Sequence, residues 1–300
     1  MKNVWYQCHY VPRSLTLMNP QRFYRAAVVW KHLAHPNIIP LFGITTTPLR
    51  YISDWMSGGN LREYVEEYPW ANRLRLVGGI PATPGGILLT APQLSDVADG
   101  LKYLHSHNVL HRGLKGVRNL PNAYRAAVLT PSYGQSRILV DESGRARIGS
   151  FSTATVTQDR DPVQNILDEY TARWTAPEIL NEQGPYSKEA DIFSFAMVII
   201  EVRYGQLIVH QVSIYPPSTS IQVFTGAVPF SGSPHPAAML AIMDGKRPPR
   251  PTHPAFTNRL WALARRCWAQ VPRSRPAASE VSRVLHSLLV SLSVQLSSNR

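Results

Sequence analysis

Apolar residues recur at helical spacing in several parts of this 300-residue chain. The first such run has apolar residues three and four positions apart, at Phe23, Ala26, Ala27, Trp30 and Leu33. Asn19-Pro20 precedes it, which places a capping residue ahead of a proline at the first helical position. The pattern predicts an amphipathic helix that ends at His35-Pro36.

The same spacing predicts four more helices, at Leu94–His105, Ala190–Glu201, Arg259–Ala269 and Ala278–Leu292. The second of these is apolar almost all round, as expected of a helix buried in the core. Residues 293–300 are rich in serine and are predicted to form a frayed tail.

Short strands are predicted where β-branched and aromatic residues lie between turn residues. Ile38–Ile44 and Arg50–Ser53 form one such pair, and Ile138–Asp141 and Arg145–Ile148 form another around a turn at Gly144. Residues 1–10 are polar and aromatic rather than apolar, so no secretory leader is expected.

Composition limits the class of protein. A hydrophobic content of 44% in 300 residues is enough for one large or two small lobes with a core. The two cysteines, Cys8 and Cys267, have no metal-ligand spacing, which favours a reduced intracellular protein, in the cytoplasm. The longest apolar run, Phe195–Ile200, is too short to span a bilayer, so no membrane partner is expected.

The net charge of +12 raises the question of a nucleic-acid partner. The basic residues are nevertheless scattered along the chain, and the one dense cluster is Arg265–Arg275. No nucleic-acid partner is therefore expected, and another protein is the partner class that remains.

Short motifs follow one another in a fixed order along the chain. Residues 35–38 are His-Pro-Asn-Ile, 55–61 are Trp-Met-Ser-Gly-Gly-Asn-Leu, 111–116 are His-Arg-Gly-Leu-Lys-Gly and 150–152 are Ser-Phe-Ser. Arg-Trp-Thr-Ala-Pro-Glu ends at position 178, Asp-Ile-Phe-Ser-Phe begins at 191, and Cys267-Trp268 leads to Arg275-Pro276. Together these motifs resemble the protein kinase domain of the tyrosine-kinase-like family, of the type found in fungi.

The resemblance implies an α+β, bilobal kinase-like fold. Residues 1–56 would form an incomplete small β lobe with the αC helix, two strands and the hinge, and residues 57–292 a mainly helical large lobe. The family's stacked spine maps onto Trp30, Leu41, His111, Phe151 and Asp191. An ion pair between Glu178 and Arg275 is also implied, and it would explain part of the basic cluster.

The resemblance fails at the catalytic positions. Kinases surround the transferred phosphate with positioned charge: a base, two magnesium ligands and a lysine aimed by a glutamate on αC. Gly113 stands where the catalytic aspartate belongs, Ser150 and Arg137 replace the two magnesium ligands, and Ala26 replaces the glutamate. Lys115 matches the lysine that steadies the γ-phosphate, but without these partners it is predicted to be a solvated loop residue.

The nucleotide site also lacks its phosphate loop. No Gly-x-Gly-x-x-Gly occurs ahead of the first helix, so the chain is expected to be truncated at its N-terminus relative to the family. Lys2 is a weak candidate for the strand lysine, because no apolar strand precedes it. Adenine would find only the hinge at Asp54, Trp55 and Met56. ATP and Mg²⁺ are thus cofactors implied by the family alone.

Three segments interrupt the family wording, at 77–93, 117–135 and 202–222. Removing each segment restores the continuous motif sequence of the family. All three segments begin with Val-Gly or Val-Arg and end with Gln, and codons for these residues can contain the nucleotides of splice donor and acceptor sites. We predict that they are translated introns; the alternative is irregular loop insertions, which surfaces tolerate. Their three arginines, together with the changes at the four catalytic positions, account for more than half of the net charge.

The sequence therefore favours an inactive kinase-like domain, a pseudokinase, that serves as an interaction or scaffolding module if it has a role. An active Ser/Thr or Tyr kinase is the alternative that family similarity suggests. A chain that forms no stable protein is the third possibility, since an incomplete small lobe would expose an unpaired sheet edge.

Overall fold

The computed structural model describes residues 6–10, 20–61, 64, 91–116, 136–157, 171–182, 184–204, 229–251 and 256–298. The Lys2 and glycine-loop expectations fall outside these residues. The described elements form a small lobe of sheet and helix above a mainly helical large lobe, and this confirms the predicted α+β class.

The small lobe contains an antiparallel three-stranded sheet. Its strands are β1 (Tyr6–Tyr10), β2 (Leu41–Thr46) and β3 (Leu49–Asp54), in the order β1-β3-β2. Strand β1 was not among the predicted elements. Tyr6 is 54% exposed and Cys8 is also exposed, so these two alternate positions do not form a buried face, and backbone pairing with β3 holds the strand in place.

Helix α1 (Pro20–Lys31) packs on this sheet and begins at the predicted proline. Its apolar face is buried, and the rings of Phe23 and Tyr51 stack with their centroids 4.4 Å apart. The Trp30 indole Nε1 donates a hydrogen bond to the Ile39 carbonyl over 2.7 Å, which fixes the chain that leaves the helix.

Six helices of the large lobe lie within the described residues: α2 (Ala91–Ser106), α3 (Pro177–Leu180), α4 (Lys188–Tyr204), α5 (His235–Met243), α6 (Asn258–Cys267) and α7 (Ala278–Ser298). The prediction of a buried central helix is confirmed, because every residue from 190 to 201 is buried. Helix α5 was not predicted. Helix α7 runs beyond Leu292, where the sequence had predicted its end.

Four short strands form two small antiparallel sheets, which are called the floor below. Strand β4 (Val109–Leu110) pairs with β7 (Thr155–Val156), and β5 (Ile138–Val140) pairs with β6 (Ala146–Ile148). The β5–β6 turn is closed by Asp141, whose carboxylate accepts hydrogen bonds from the Ser143 and Arg145 amides. A bridge between Ile38 and Ile148 joins this floor to the loop that follows α1.

Most of the three interrupting segments lies outside the described residues, namely 77–90, 117–135 and 205–222. The described ends, 91–93 and 202–204, are helical and not irregular. Gln93 is 1% exposed, and its Nε2 donates to the Gly144 carbonyl over 2.9 Å. On either side of 117–135, the Arg137 amide donates to the Lys115 carbonyl over 3.2 Å, so the two flanks lie side by side.

Candidate functional site

The loop that follows β4 is anchored by one buried carboxylate on α4. Asp191 accepts hydrogen bonds from the backbone amides of His111 and Arg112, each over 2.9 Å, and contacts His105 Nε2 at 3.0 Å. Burial alone would raise the pKa of Asp191, yet its hydrogen bond with His105 and its interactions with the His105 and His111 imidazoles hold that pKa below the ordinary value. The anchor also stabilises Arg112 in the left-handed backbone region, with a φ of 63°.

Aromatic rings connect this loop to the small lobe. The Phe151 ring lies 5.2 Å from the His111 ring on one side and 5.2 Å from Trp30 on the other. Trp30 continues to Tyr51 at 5.5 Å, and Leu41 is buried in the same core cluster. Burial is also the main cause that lowers the pKa of His111 to about 4, with the charge of Arg137 as the second cause.

Position 113 faces a guanidinium. A Cβ atom placed on Gly113 would lie 3.1 Å from Arg137 Nη1 and 3.3 Å from Thr153 Oγ1. Arg137 is 9% exposed, and its Nη1 donates to the Ser150 carbonyl and to Thr153 Oγ1, each over 3.0 Å. The Thr153 hydroxyl in turn donates to the His111 carbonyl over 3.2 Å. One cation therefore ties the loop at 111–113 to the segment at 150–153.

Lys115 is not the solvated residue that the sequence suggested, because it is only 1% exposed. The next residue is bound to α4, because the Gly116 amide donates to Glu201 Oε2 over 3.0 Å. The Trp174 indole Nε1 donates to the same oxygen over 2.9 Å, which joins the loop to the segment before α3. The loop is thus packed against the large-lobe core on both sides of Lys115.

The hinge and αC positions lie apart from this loop. Trp55 is 51% exposed and Met56 is buried, while the Asp54 carboxylate accepts from the Trp55 amide over 3.1 Å. Ala26 is buried on α1. Strand β1, which lies next to the hinge strand, contains no lysine.

Glu178 and Arg275 form a two-pronged ion pair, with both nitrogen–oxygen distances at 2.7 Å. The Arg275 side chain is fully buried and also donates to the Glu189 and Ala269 carbonyls. Its guanidinium lies 5.0 Å from the Phe193 ring centroid. The pair joins α3 to the start of α4 and to the loop before α7.

The sequence model of the protein tyrosine and serine/threonine kinases matches residues 12–121 and 135–285. The chain belongs to this kinase family. The unmatched residues 122–134 lie inside the interrupting segment 117–135, whereas the other two segments lie within the matched ranges.

Curated kinases resemble the chain along most of its length. The serine/threonine/tyrosine-protein kinase HT1 of Arabidopsis thaliana is 28% identical over 271 residues, which are 88% of this chain and 54% of HT1. Serine/threonine-protein kinase STY17 of the same plant is 24% identical, over 92% of this chain and 40% of the relative. A probable serine/threonine-protein kinase of Dictyostelium discoideum is 26% identical, over 84% of this chain and 15% of that relative. The chain spans about half or less of the length of these relatives.

The residues at the three family positions do not fit the ATP and Mg²⁺ that kinases use. Mg²⁺ is bound by carboxylate oxygens, phosphates and water. Positions 113, 137 and 150 offer a hydrogen atom, a guanidinium and a hydroxyl, and Arg137 already fills the space beside position 113. A second cation beside this guanidinium would be repelled. We therefore derive no phosphoryl-transfer step for this kinase-family chain.

Two contributors to the site were missed by sequence reasoning. Tyr51 joins the aromatic contacts between α1 and β3, and its hydroxyl donates to the Phe23 carbonyl over 3.2 Å. Thr153 lies between Arg137 and the His111 carbonyl. An aromatic residue in the middle of a predicted strand was a usable signal for Tyr51, whereas Thr153 carried none.

Across the described ranges, no three His, Cys, Asp or Glu side chains converge in a way that would hold a metal ion. No helix of those ranges combines the length and apolar character needed to cross a bilayer.

Proposed function

We propose that this kinase-family chain is catalytically inactive and acts as a protein interaction module, a pseudokinase. The observation that carries the proposal is the Arg137 guanidinium, which lies beside Gly113 and binds the Ser150 carbonyl. In an active site this region would be acidic, because it has to hold metal ions and accept a proton from the substrate hydroxyl.

Phosphoryl transfer depends on positioned charge, so the sign of that charge decides the chemistry. A general base has to reach the proton that it removes, at roughly 2.6–3.2 Å. Gly113 has no side chain, and the nearby Asp191 carboxylate is buried and accepts from two backbone amides and His105. Asp191 therefore anchors the loop and does not replace the missing base.

The position of α1 supports the same proposal. An active kinase aims its strand lysine with a glutamate on this helix. Here Ala26 takes that place, and rings of Phe23, Tyr51 and Trp30 hold the helix on the sheet. The helix is thus kept in place by packing that requires neither nucleotide nor an ion pair.

The alternative is an active protein kinase, which the names of the relatives favour, since each of them is called a protein kinase. A phosphotransfer assay with γ-labelled ATP, magnesium and generic protein substrates separates the two. We expect no transfer above background by the wild-type chain, and none after Gly113→Asp alone, because Arg137 and Ser150 remain. Transfer that scales with the purified protein and disappears in Lys115→Met would overturn the proposal.

The three interrupting segments are a separate proposal, namely translated introns. The adjacency of Lys115 and Arg137 supports it for 117–135, because removal of that segment would leave neighbouring residues to be joined. Sequencing of the mature transcript decides the question. A message that carries all three segments in frame contradicts the intron origin.

A further inference from the structure

A cavity of about 1040 Å³ lies between α2, α7, the loop at 35–37 and the turn before β6. None of its lining residues belongs to the candidate site. Polar and charged side chains form most of the lining; those that the argument uses are His35, Asp99, Lys102, Arg145, Arg283 and His286. We call this cavity the rear groove.

The walls of the rear groove are fixed by polar contacts. Asp99 on α2 accepts from the Ser282 hydroxyl over 2.6 Å and contacts His286 Nε2 at 2.8 Å, which joins α2 to α7. His35 stacks on Tyr103 with the ring centroids 4.8 Å apart. The groove is therefore bounded by contacts between elements that belong to the folded core.

The charge inside the groove is unbalanced. Lys102 on α2, Arg145 in the β5–β6 turn and Arg283 on α7 make no ion pair or side-chain hydrogen bond with another described residue. The acids of the groove are engaged: Asp99 with α7, and Asp96 as acceptor from the Ala146 amide at 3.0 Å. The three cations outnumber the two acids of the lining, and an excess of one sign of charge attracts ligands of the opposite sign.

We propose that the rear groove binds an acidic segment of a partner protein, with carboxylates facing Lys102, Arg145 and Arg283. Two observations favour a segment over a single anion. The volume lies at the upper end of the range for ligand pockets, and the three cations come from three different elements. Complementary charge of this kind guides association and selects the partner.

The proposal gives a partner chemistry to the interaction role proposed above, and it rests on that role but not on the catalytic loop. The test uses the full chain and a fluorescein-labelled peptide of alternating glutamate and glycine, with binding followed by fluorescence anisotropy. The test variant is Lys102→Gln/Arg283→Gln, in which both side chains are exposed. The matched control is Lys246→Gln/Arg273→Gln, which removes the same two charge types from exposed positions elsewhere.

We expect the wild-type chain to bind this peptide, and rising salt to weaken the binding. The test variant should bind about five- to tenfold more weakly, the size expected for two exposed charge pairs, and the control should stay within about twofold. Equal losses in both variants, or no binding to the wild type, overturn the proposal. The proposal is also overturned if the wild type binds phosphatidylserine vesicles but not the peptide, and the test variant binds those vesicles more weakly.

The phosphotransfer assay keeps the two proposals distinguishable. A chain that transfers phosphate and still binds the peptide at Lys102 and Arg283 overturns only the inactive assignment. A chain that transfers no phosphate and ignores the peptide overturns only the rear groove.

Discussion

The two ends of the catalytic loop differ in what they have kept. At its start, the amides of His111 and Arg112 are both bound by the buried Asp191 carboxylate, and the His111 ring packs on Phe151. Two residues further on, Gly113 has no side chain and faces the Arg137 guanidinium. Charge that shapes the backbone is present, whereas the charge that would act on a phosphate is, under our proposal, replaced.

The same contrast separates Glu178–Arg275 from the αC position. Arg275 donates five hydrogen bonds, two to the Glu178 carboxylate and three to backbone carbonyls, and so joins three parts of the large lobe. Ala26 is a buried alanine without charge, and the Phe23 ring on the same helix stacks on Tyr51 of the sheet. If the proposed loss of active-site charge is correct, this chain keeps an internal ion pair without those charges, because the two sets act on different parts of the structure.

The largest expected effect is at the retained ion pair. Glu178→Ala leaves the fully buried Arg275 guanidinium without its carboxylate, and we expect the free energy of unfolding to fall by about 3–5 kcal/mol. Denaturant unfolding followed by circular dichroism measures it.

The exposed pair Arg266–Glu280 provides the matched control, with 2.6 Å between its charged atoms. Glu280→Ala should cost at most about 1 kcal/mol, since solvent screens this pair. Equal costs for the two substitutions would show that the buried pair does not stabilise the fold in the way described here.

A second expectation concerns pH. The folded-state pKa of His111 is about 4, below the ordinary value of 6.5, so the unfolded chain binds more protons between those values. The part of the unfolding free energy that depends on a neutral His111 is fully present above pH 6.5 and is lost as the pH falls towards 4. The full change amounts to about 3 kcal/mol. Unfolding free energies of the wild type and of His111→Phe, measured from pH 7 to 4.5, give the contribution as a difference in slope. Parallel curves would contradict it.

The sequence predicted most of the helices because their apolar spacing is set by burial, and burial is what the fold provides. Pro20 began α1 as expected, and the apolar stretch around Phe195 became the buried helix. Strand β1 escaped prediction because backbone pairing with β3 forms it while Tyr6 and Cys8 remain exposed. Backbone pairing by itself imposes no pattern of side chains that a sequence could show.

At the site, the family wording located the altered positions but not their contacts. Gly113 and Arg137 are 24 positions apart in the chain, and only the folded structure places the guanidinium beside the missing side chain. Lys115 was misjudged for a similar reason, because a lysine in a loop suggests solvent and the packing of that loop is a tertiary property.

Arg137 allows the altered end of the loop to be tested directly. Arg137→Asn removes the guanidinium that donates to both the Ser150 carbonyl and Thr153 Oγ1. We expect the unfolding free energy to fall by about 2 kcal/mol. The pKa of His111 should rise, because the Arg137 charge lowers it in the wild type. Nuclear magnetic resonance titration of the histidine ring measures this second effect. The exposed Arg273→Gln is the control and should change neither quantity.

The smallest expected effect is the response to nucleotide. The hinge amide of Trp55 already donates to the Asp54 carboxylate, and we propose that Gly113, Arg137 and Ser150 replace the charges with which kinases hold phosphate and metal. With 1 mM ATP and magnesium, we expect stabilisation below about 0.4 kcal/mol, which corresponds to a dissociation constant above about 1 mM. Thermal unfolding with ATP, with adenosine and with ATP plus EDTA should give the same midpoint within error. A shift that saturates at micromolar ATP, or that disappears with EDTA, would show that the cleft still binds a metal nucleotide, and the contrast between the two ends of the loop would then be wrong.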